Sequence, residues 1–296
     1  MKALKTSYRL AQMSLTVIRQ DLRIIGVHMF GTLILATGLS LIGYALYASG
    51  YFQGITMIDD ETFVGIVTPA STAALLGASL IGAFVYYFTE AYISSLVLSA
   101  IRGERIRLST AVGKVHKNVK ALIQFILLST TVGVVLRALE EHLPWAGKLA
   151  TYIALGAWNL GTIFAVTNIV DGNAKTGIEA TRKSASLLMN SFGENIAVRI
   201  GVGSIVSLVF FLWAILIFAG TTAFVVYSVG TLFVYGILGV GFVGLVGILF
   251  LGAALDSVIT VMLYEYVQTG KETSTMNKEL FKHMITPKKA RAVFTG

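Results

Sequence analysis

Cysteine is absent from the 296 residues, which excludes disulfides, thiol catalysis and thiolate metal sites. Charge is scarce: 13% of the residues are charged, where a soluble domain carries about 25%. Catalytic signatures are missing as well. There is no H-E-x-x-H, no phosphate-cradling G-x-x-x-x-G-K-[ST] and no G-x-S-x-G. Glu140 and Glu141 are adjacent, so on a helix they point to different sides and make a poor acid/base pair. His28, His116, His142 and His283 are scattered along the chain and form no ligand set. No metal, cofactor or enzymatic activity is implied. The alternating segments of an outer-membrane barrel are also absent. The first 23 residues lack a short apolar core with a cleavage site, so no cleavable signal peptide is expected.

What is present is apolar sequence in long runs, 55% hydrophobic in all. Several runs exceed the roughly 20 residues that carry a helix across a ~30 Å hydrocarbon core. The reading is an all-α polytopic membrane protein, one integral membrane domain over 1–296. Six spans are expected, at about 24–49, 68–98, 119–140, 149–170, 197–227 and 231–264. The connections alternate in charge. Of the 23 Lys and Arg, five precede span one, six lie in 101–120, four in 171–199 and six from 265 onward. The acidic stretches "MIDDET" and "LEEH" fall on the other side. Lys and Arg are enriched on the cytoplasmic side of membrane proteins, so both termini are expected there. The net charge of +8 follows from this arrangement and does not point to nucleic acid.

Three exits share a pattern: "IRGER", "VDGNAK" and "QTGKET". Gly103, Gly172 and Gly270 each follow an apolar helix, where glycine suits the left-handed residue that ends it. Amphipathic helices are expected beside the membrane. One, at 5–23, carries Tyr8, Ala11, Leu15, Ile18 and Leu22 on one face. A second, at 176–192, carries Ile178, Ala185, Leu188 and Phe192, with a capping box of Thr176 and Glu179. A third lies in the tail 265–296, ahead of Pro287. Such basic helices lie on the bilayer surface or form a docking platform for a cytoplasmic partner.

The stretch "EEHLPWAGKLATYIALGAWNLGTIFAVTNIVDGNAKTGIEATRKSASLLMNSFGE" resembles the core of a prokaryotic membrane-protein family known as domain of unknown function 6159. The resemblance rests on Glu140 and Glu141, Gly156 and Trp158, Thr162 and Phe164, Asp171 and Gly172, Ala180 and Ser184, and Gly193 and Glu194. "SYRLAQMSLTVIRQDLRI" is similar to the family's opening helix, and "LYEYVQTGKETSTMNKELFKHMITPKK" to its closing segment. Thr167 stands where the family usually has proline, and Phe192 where it has tryptophan. The missing proline removes the residue that would bend span four. The resemblance implies six or so helices and no activity.

The candidate polar positions are Glu90, Asn159, Arg199 and Asp256. The run around Glu90 is too long for one crossing, which places Glu90 and Asp256 near the cytoplasmic edge, level with Arg199. A structural ion pair is the ordinary use of such groups; a solvated interfacial acid or a transport or proton site are the alternatives. Asn159 and Ser129–Thr131 lie nearer the midplane, where they would bond helix to helix or contact a substrate. Ala74, Ala78 and Gly82 form a small-residue ladder for helix packing. Six glycines between Gly236 and Gly252 cover more than half of the last helix, as on a helix buried on several sides or bent. The leading functional expectation is a membrane scaffold or assembly subunit, partnered by the bilayer and by further copies or a protein at the cytoplasmic face. A transporter and an export-machine subunit are the alternatives.

Overall fold

The computed structural model describes residues 2–48, 56–57, 63–64, 69–104, 107–190, 194–226 and 231–269. Among the described residues the regular structure is helical apart from one two-residue antiparallel pairing, β1 (Thr56–Met57) with β2 (Phe63–Val64). The helices are α1 (Lys2–Gln20), α2 (Arg23–Ala48), α3 (Pro69–Ile101), α4 (Leu108–Lys117), α5 (Val119–His142), α6 (Trp145–Gly161), α7 (Ala165–Val170), α8 (Gly177–Asn190), α9 (Glu194–Val226) and α10 (Thr231–Thr269). Five stretches are long and apolar enough to cross a membrane: Arg23–Ala45, Leu76–Ile101, Val119–Glu140, Trp145–Val170 and Gly236–Thr269. In α9 the described apolar stretch is shorter, Val206–Thr222.

α3 is the hub: it touches α1, α2, α4, α5, α7 and α10. Its two sides feed two cores. One joins Val17 and Ile18 of α1 and Ile24 of α2 with Ile93 and Val97 of α3 and Val258 and Tyr264 of α10. The other joins Ala91 of α3 with Leu122 and Phe125 of α5, Ile169 of α7 and Ala180 of α8. Both cores sit at the end of the bundle where α3, α7 and α10 terminate. Farther along, α2, α9 and α10 expose Leu33, Leu41, Phe211, Phe218 and Val243, the surface that lipid would cover.

Several local expectations change. The first helix does not lie apart as a surface anchor. It packs against α3, α9 and α10, burying Ser14, Val17 and Ile18, while Leu22 is 67% exposed beyond its end. The basic segment 101–120 contains a helix of its own, α4, which buries Ala111 and Val115. Span four breaks even without proline: α6 ends at Gly161, a turn follows, and α7 starts at Ala165. Thr167 is instead buried against α3, its hydroxyl 3.3 Å from that of Ser94.

The capping box at α8 is shifted by one residue. Thr176 Oγ1 accepts the Glu179 N–H as expected, at 3.1 Å. The Glu179 carboxylate reaches past Thr176 to the Lys175 N–H, at 2.9 Å. The buried face of α8 is Ala180, Ser184 and Leu188, and Ile178 is 67% exposed. α8 lies against α5 and α7, and these two helices select which face is covered. Phe192 and the tail helix lie outside the described residues.

Small residues mark the close approaches. A Cβ on Gly82 would stand 3.6 Å from Leu35 of α2. Ala78 is half-buried on α3, and the side chain of Ala74 lies outside the described residues. In α10 the glycines make one seam rather than a helix buried all round. Gly241, Gly244 and Gly252 meet Ile217, Trp213 and Val206 of α9, whereas Gly239 and Gly247 meet nothing within 4 Å. Trp213 Nε1 donates to the Gly241 carbonyl across this seam, at 3.0 Å.

Candidate functional site

The glycine exits set the geometry of the most polar cluster. Gly103 and Gly172 have φ of 78° and 77°, a conformation open to glycine because it lacks a Cβ. Each closes its helix with the same pair of bonds. Glu104 N–H donates to the Ser99 carbonyl and Gly103 N–H to that of Ala100, at 2.8 and 3.1 Å; Asn173 N–H donates to Asn168 and Gly172 N–H to Ile169, both at 3.0 Å. Both ends are Schellman motifs, and in both the residue before the glycine carries a charge. Those residues, Arg102 and Asp171, face each other.

Arg102 forks onto two carboxylates. Nη1 and Nη2 reach Asp171 at 2.7 and 3.1 Å, while Nε and Nη2 reach Glu265 of α10 at 2.9 and 2.6 Å. Paired N–H···O bonds of this kind are among the stronger polar contacts in proteins. They hold the Arg102 guanidinium above its ordinary pKa, through Glu265 first and Asp171 second. Tyr264, fully buried, donates to Asp171 Oδ2 at 3.1 Å and accepts from Asn173 Nδ2 at 2.7 Å. Lys183 of α8 donates to the Asn173 carbonyl and pairs with Glu179 at 2.9 Å. That pairing, together with the Lys175 N–H, lowers the pKa of the exposed Glu179 carboxyl. The ends of α3, α7 and α10 and the first turns of α8 are thus tied by side chains.

A second tier lies deeper. Glu90 precedes Arg102 by 12 residues on α3, about 18 Å along the helix. Ser257 of α10 donates to the Glu90 carboxylate, with Oε1 at 2.9 Å and Oε2 at 3.1 Å. His28 Nε2 of α2 lies 3.2 Å from the same hydroxyl. His28 and Ser257 are buried, so three helices meet in one short polar chain. Asp256 is half-buried beside Ser257 on α10, and Arg199 lies on α9 with its side chain outside the described residues. Asn159 is exposed on α6. Ser129, by contrast, bonds α5 to two helices: Tyr87 Oη is 2.8 Å from its hydroxyl, and Trp158 Nε1 donates to it at 3.4 Å.

The break in span four has its own support. Ser184 Oγ accepts the Phe164 N–H at 2.9 Å, a donor the break leaves free. Both residues are fully buried. A buried donor without a partner costs about 1–3 kcal/mol. Ser184→Ala is therefore expected to lower the unfolding midpoint in detergent by a corresponding amount, with Ser184→Thr retaining more of it; an unchanged midpoint for the alanine variant would show the bond to be dispensable.

Residues 70–274 match the family described as Family of unknown function (DUF6159). The chain belongs to this family. Several residues on which the resemblance rests make contacts between helices or end a helix: Trp158 on Ser129, Phe164 on Ser184, and Asp171 and Gly172 at the Arg102 fork. Tyr264 and Glu265 lie within the matched residues, whereas α1, α2 and His28 lie before them. Searches of curated proteins and of solved structures found no match.

Sequence reasoning missed Arg102, Glu265, His28 and Ser257. A signal for the first was available, since the exits "IRGER" and "VDGNAK" put opposite charges in the same position before glycine. No comparable signal marked His28 and Ser257, which are 229 residues apart. Among the described residues no group of His, Asp or Glu is arranged to hold a metal.

Proposed function

We propose that this protein is a six-span scaffold of a prokaryotic plasma membrane, with both termini cytoplasmic, and that it holds other proteins or further copies of itself rather than catalysing a reaction. The observation that carries this reading is the outward stripe of α8. Ile178, Arg182, Ala185 and Met189 follow one another at helical spacing, and Ile178 and Met189 are 67% and 76% exposed. α8 lies outside the candidate spans, so a protein partner or the bilayer surface, and not a membrane crossing, would cover an apolar stripe there. It is also bolted to α5, α7 and the Arg102 cluster, as a docking face needs to be. Exposed apolar residues on a rigid element mark interaction surfaces. The alternation of basic and acidic connections supports the orientation.

The test is a photo-crosslinking residue at Ile178 or Met189, with Leu33 as the apolar control on α2. Discrete protein adducts at the two α8 positions and not at Leu33 are expected. Lipid adducts alone at all three positions would overturn the reading. A second reading, transport of a small molecule or ion, is favoured by the Glu90–Ser257–His28 chain, because polar groups linked across buried helices mark many intramembrane pathways.

A further inference from the structure

A groove of about 620 Å³ opens between α1, α9 and α10, within the ~300–1,000 Å³ typical of small-ligand sites. Its composition is two-sided. α1 contributes the polar groups Gln12, Thr16 and Arg19 beside Ala11 and Leu15, and the other two helices contribute apolar walls that include Val209, Ile248 and Leu251. Gly252 lets α10 approach Val206 of α9, whose Cγ1 stands 2.6 Å from where a Cβ would be. This contact joins the two walls.

Arg19 differs from the basic residues that are held in ion pairs. Arg23 is held by Asp21 at 2.6 Å, Arg102 by Asp171 and Glu265, and Lys183 by Glu179. Arg19 is exposed and has no carboxylate among the described residues. The groove lining contains no acidic residue. The depth is also consistent. Thr231 to Gly252 spans about 31 Å of α10, and Val226 back to Val206 about 30 Å of α9. Each equals one hydrocarbon thickness, ~30 Å. Counted from the adjoining ends of α9 and α10, both lengths would put α1's polar side chains at headgroup level and the apolar walls beside the acyl chains of that leaflet.

We propose that this groove binds one anionic phospholipid, with the phosphate at Arg19, the polar glycerol region at Gln12 and Thr16, and an acyl chain along Val209, Ile248 and Leu251. A phosphate supplies the charge that Arg19 lacks, and the chain covers a wall that water would solvate poorly. α1 is packed onto the bundle rather than floating on the bilayer, so a lipid held here bridges α1 to α9 and α10. The inference rests on the membrane reading above but not on the docking face of α8.

The full-length protein in neutral detergent is titrated with phosphatidylglycerol, phosphatidylcholine or inorganic phosphate, and read by native mass spectrometry and by unfolding midpoint. Phosphatidylglycerol is expected to be retained and to raise the midpoint, phosphatidylcholine to be retained about fivefold less, and inorganic phosphate to do nothing. Arg19→Gln should bring phosphatidylglycerol down to the phosphatidylcholine level with the lipid-free midpoint unchanged. Gln12→Glu, at an exposed position, should repel the same lipid and serves if the first variant folds poorly. Leu251→Trp should reduce retention of both lipids. Equal retention of the two lipids, undiminished phosphatidylglycerol on Arg19→Gln, or equal stabilisation by free phosphate would each overturn the site. A chain that stays soluble without detergent would instead refute the membrane reading, and adducts at Ile178 and Met189 report on the scaffold reading alone.

Discussion

Replacing Arg102 with methionine is expected to give the largest loss of stability of any single polar substitution in this protein. The substitution keeps most of the side chain's length and removes its charge. Asp171 and Glu265 then face each other without a cation, with side-chain exposures of 11% and 8%. Breaking a buried pair by removing one partner costs about 3–5 kcal/mol, because a desolvated charge is left behind. Arg102 itself is 35% exposed, and solvent screening reduces the worth of exposed pairs. The expected cost is therefore about 2–3 kcal/mol, below the buried range. It would appear as a lower unfolding midpoint in detergent and a lower yield in the membrane fraction. Removing the two acids as well, in Arg102→Met with Asp171→Asn and Glu265→Gln, should recover much of the loss, since replacing all partners is far less costly than orphaning some. A single variant as stable as the natural protein would show that the fork does not tie the helix ends together.

The second large effect is expected at Gly177, the first residue of α8. Its N–H donates to Gln124 Oε1 of α5 at 3.3 Å. A Cβ there would lie 2.7 Å from the carbonyl carbon of Gln124 and 2.8 Å from the Phe125 Cα. The obstacles are backbone atoms in mid-helix, which cannot turn aside as a side chain can. Overpacking commonly costs about 1–3 kcal/mol, and Gly177→Ala should reach the upper part of that range, with Gly177→Val beyond it. Hydrogen exchange over 171–190 reads the outcome: α8 should lose protection while α1 and α2 keep theirs. Gly156→Ala is the internal control. A Cβ there meets nothing within 4 Å, and alanine in a helix interior is favoured over glycine by about 0.5–1 kcal/mol. If both variants behaved alike, close approach at Gly177 would not explain the position.

The residues that carry the family resemblance bear on the same joints. Gly172, Asp171, Ser184 and Phe164 sit at helix ends or at the break in span four, and each meets a partner on another helix or closes its own. A set of joints of this kind maintains an arrangement of helices. It is compatible with the scaffold proposed above.

The amino-acid sequence alone determined the all-helical class, the positions of five long apolar helices and the glycine exits at Gly103 and Gly172, while Gly270 lies outside the described residues. Those properties are local. A run of apolar residues has a length whatever lies beside it, and Gly103 takes its positive φ because of its own missing Cβ. The sequence also marked Glu90 as a polar group that needs explaining. Only the tertiary structure decided that Ser257 and His28 surround it, that Arg102 spans Asp171 and Glu265, and that α8 hides Ala180 and Ser184 while exposing Ile178. Each of these depends on which helices are neighbours and how each is rotated. Consecutive residues on a helix point about 100° apart, so a single-residue change in register turns a buried face outward. The face that α8 buries and the single glycine seam of α10 both follow from that rotation, which nothing in one strand of sequence specifies.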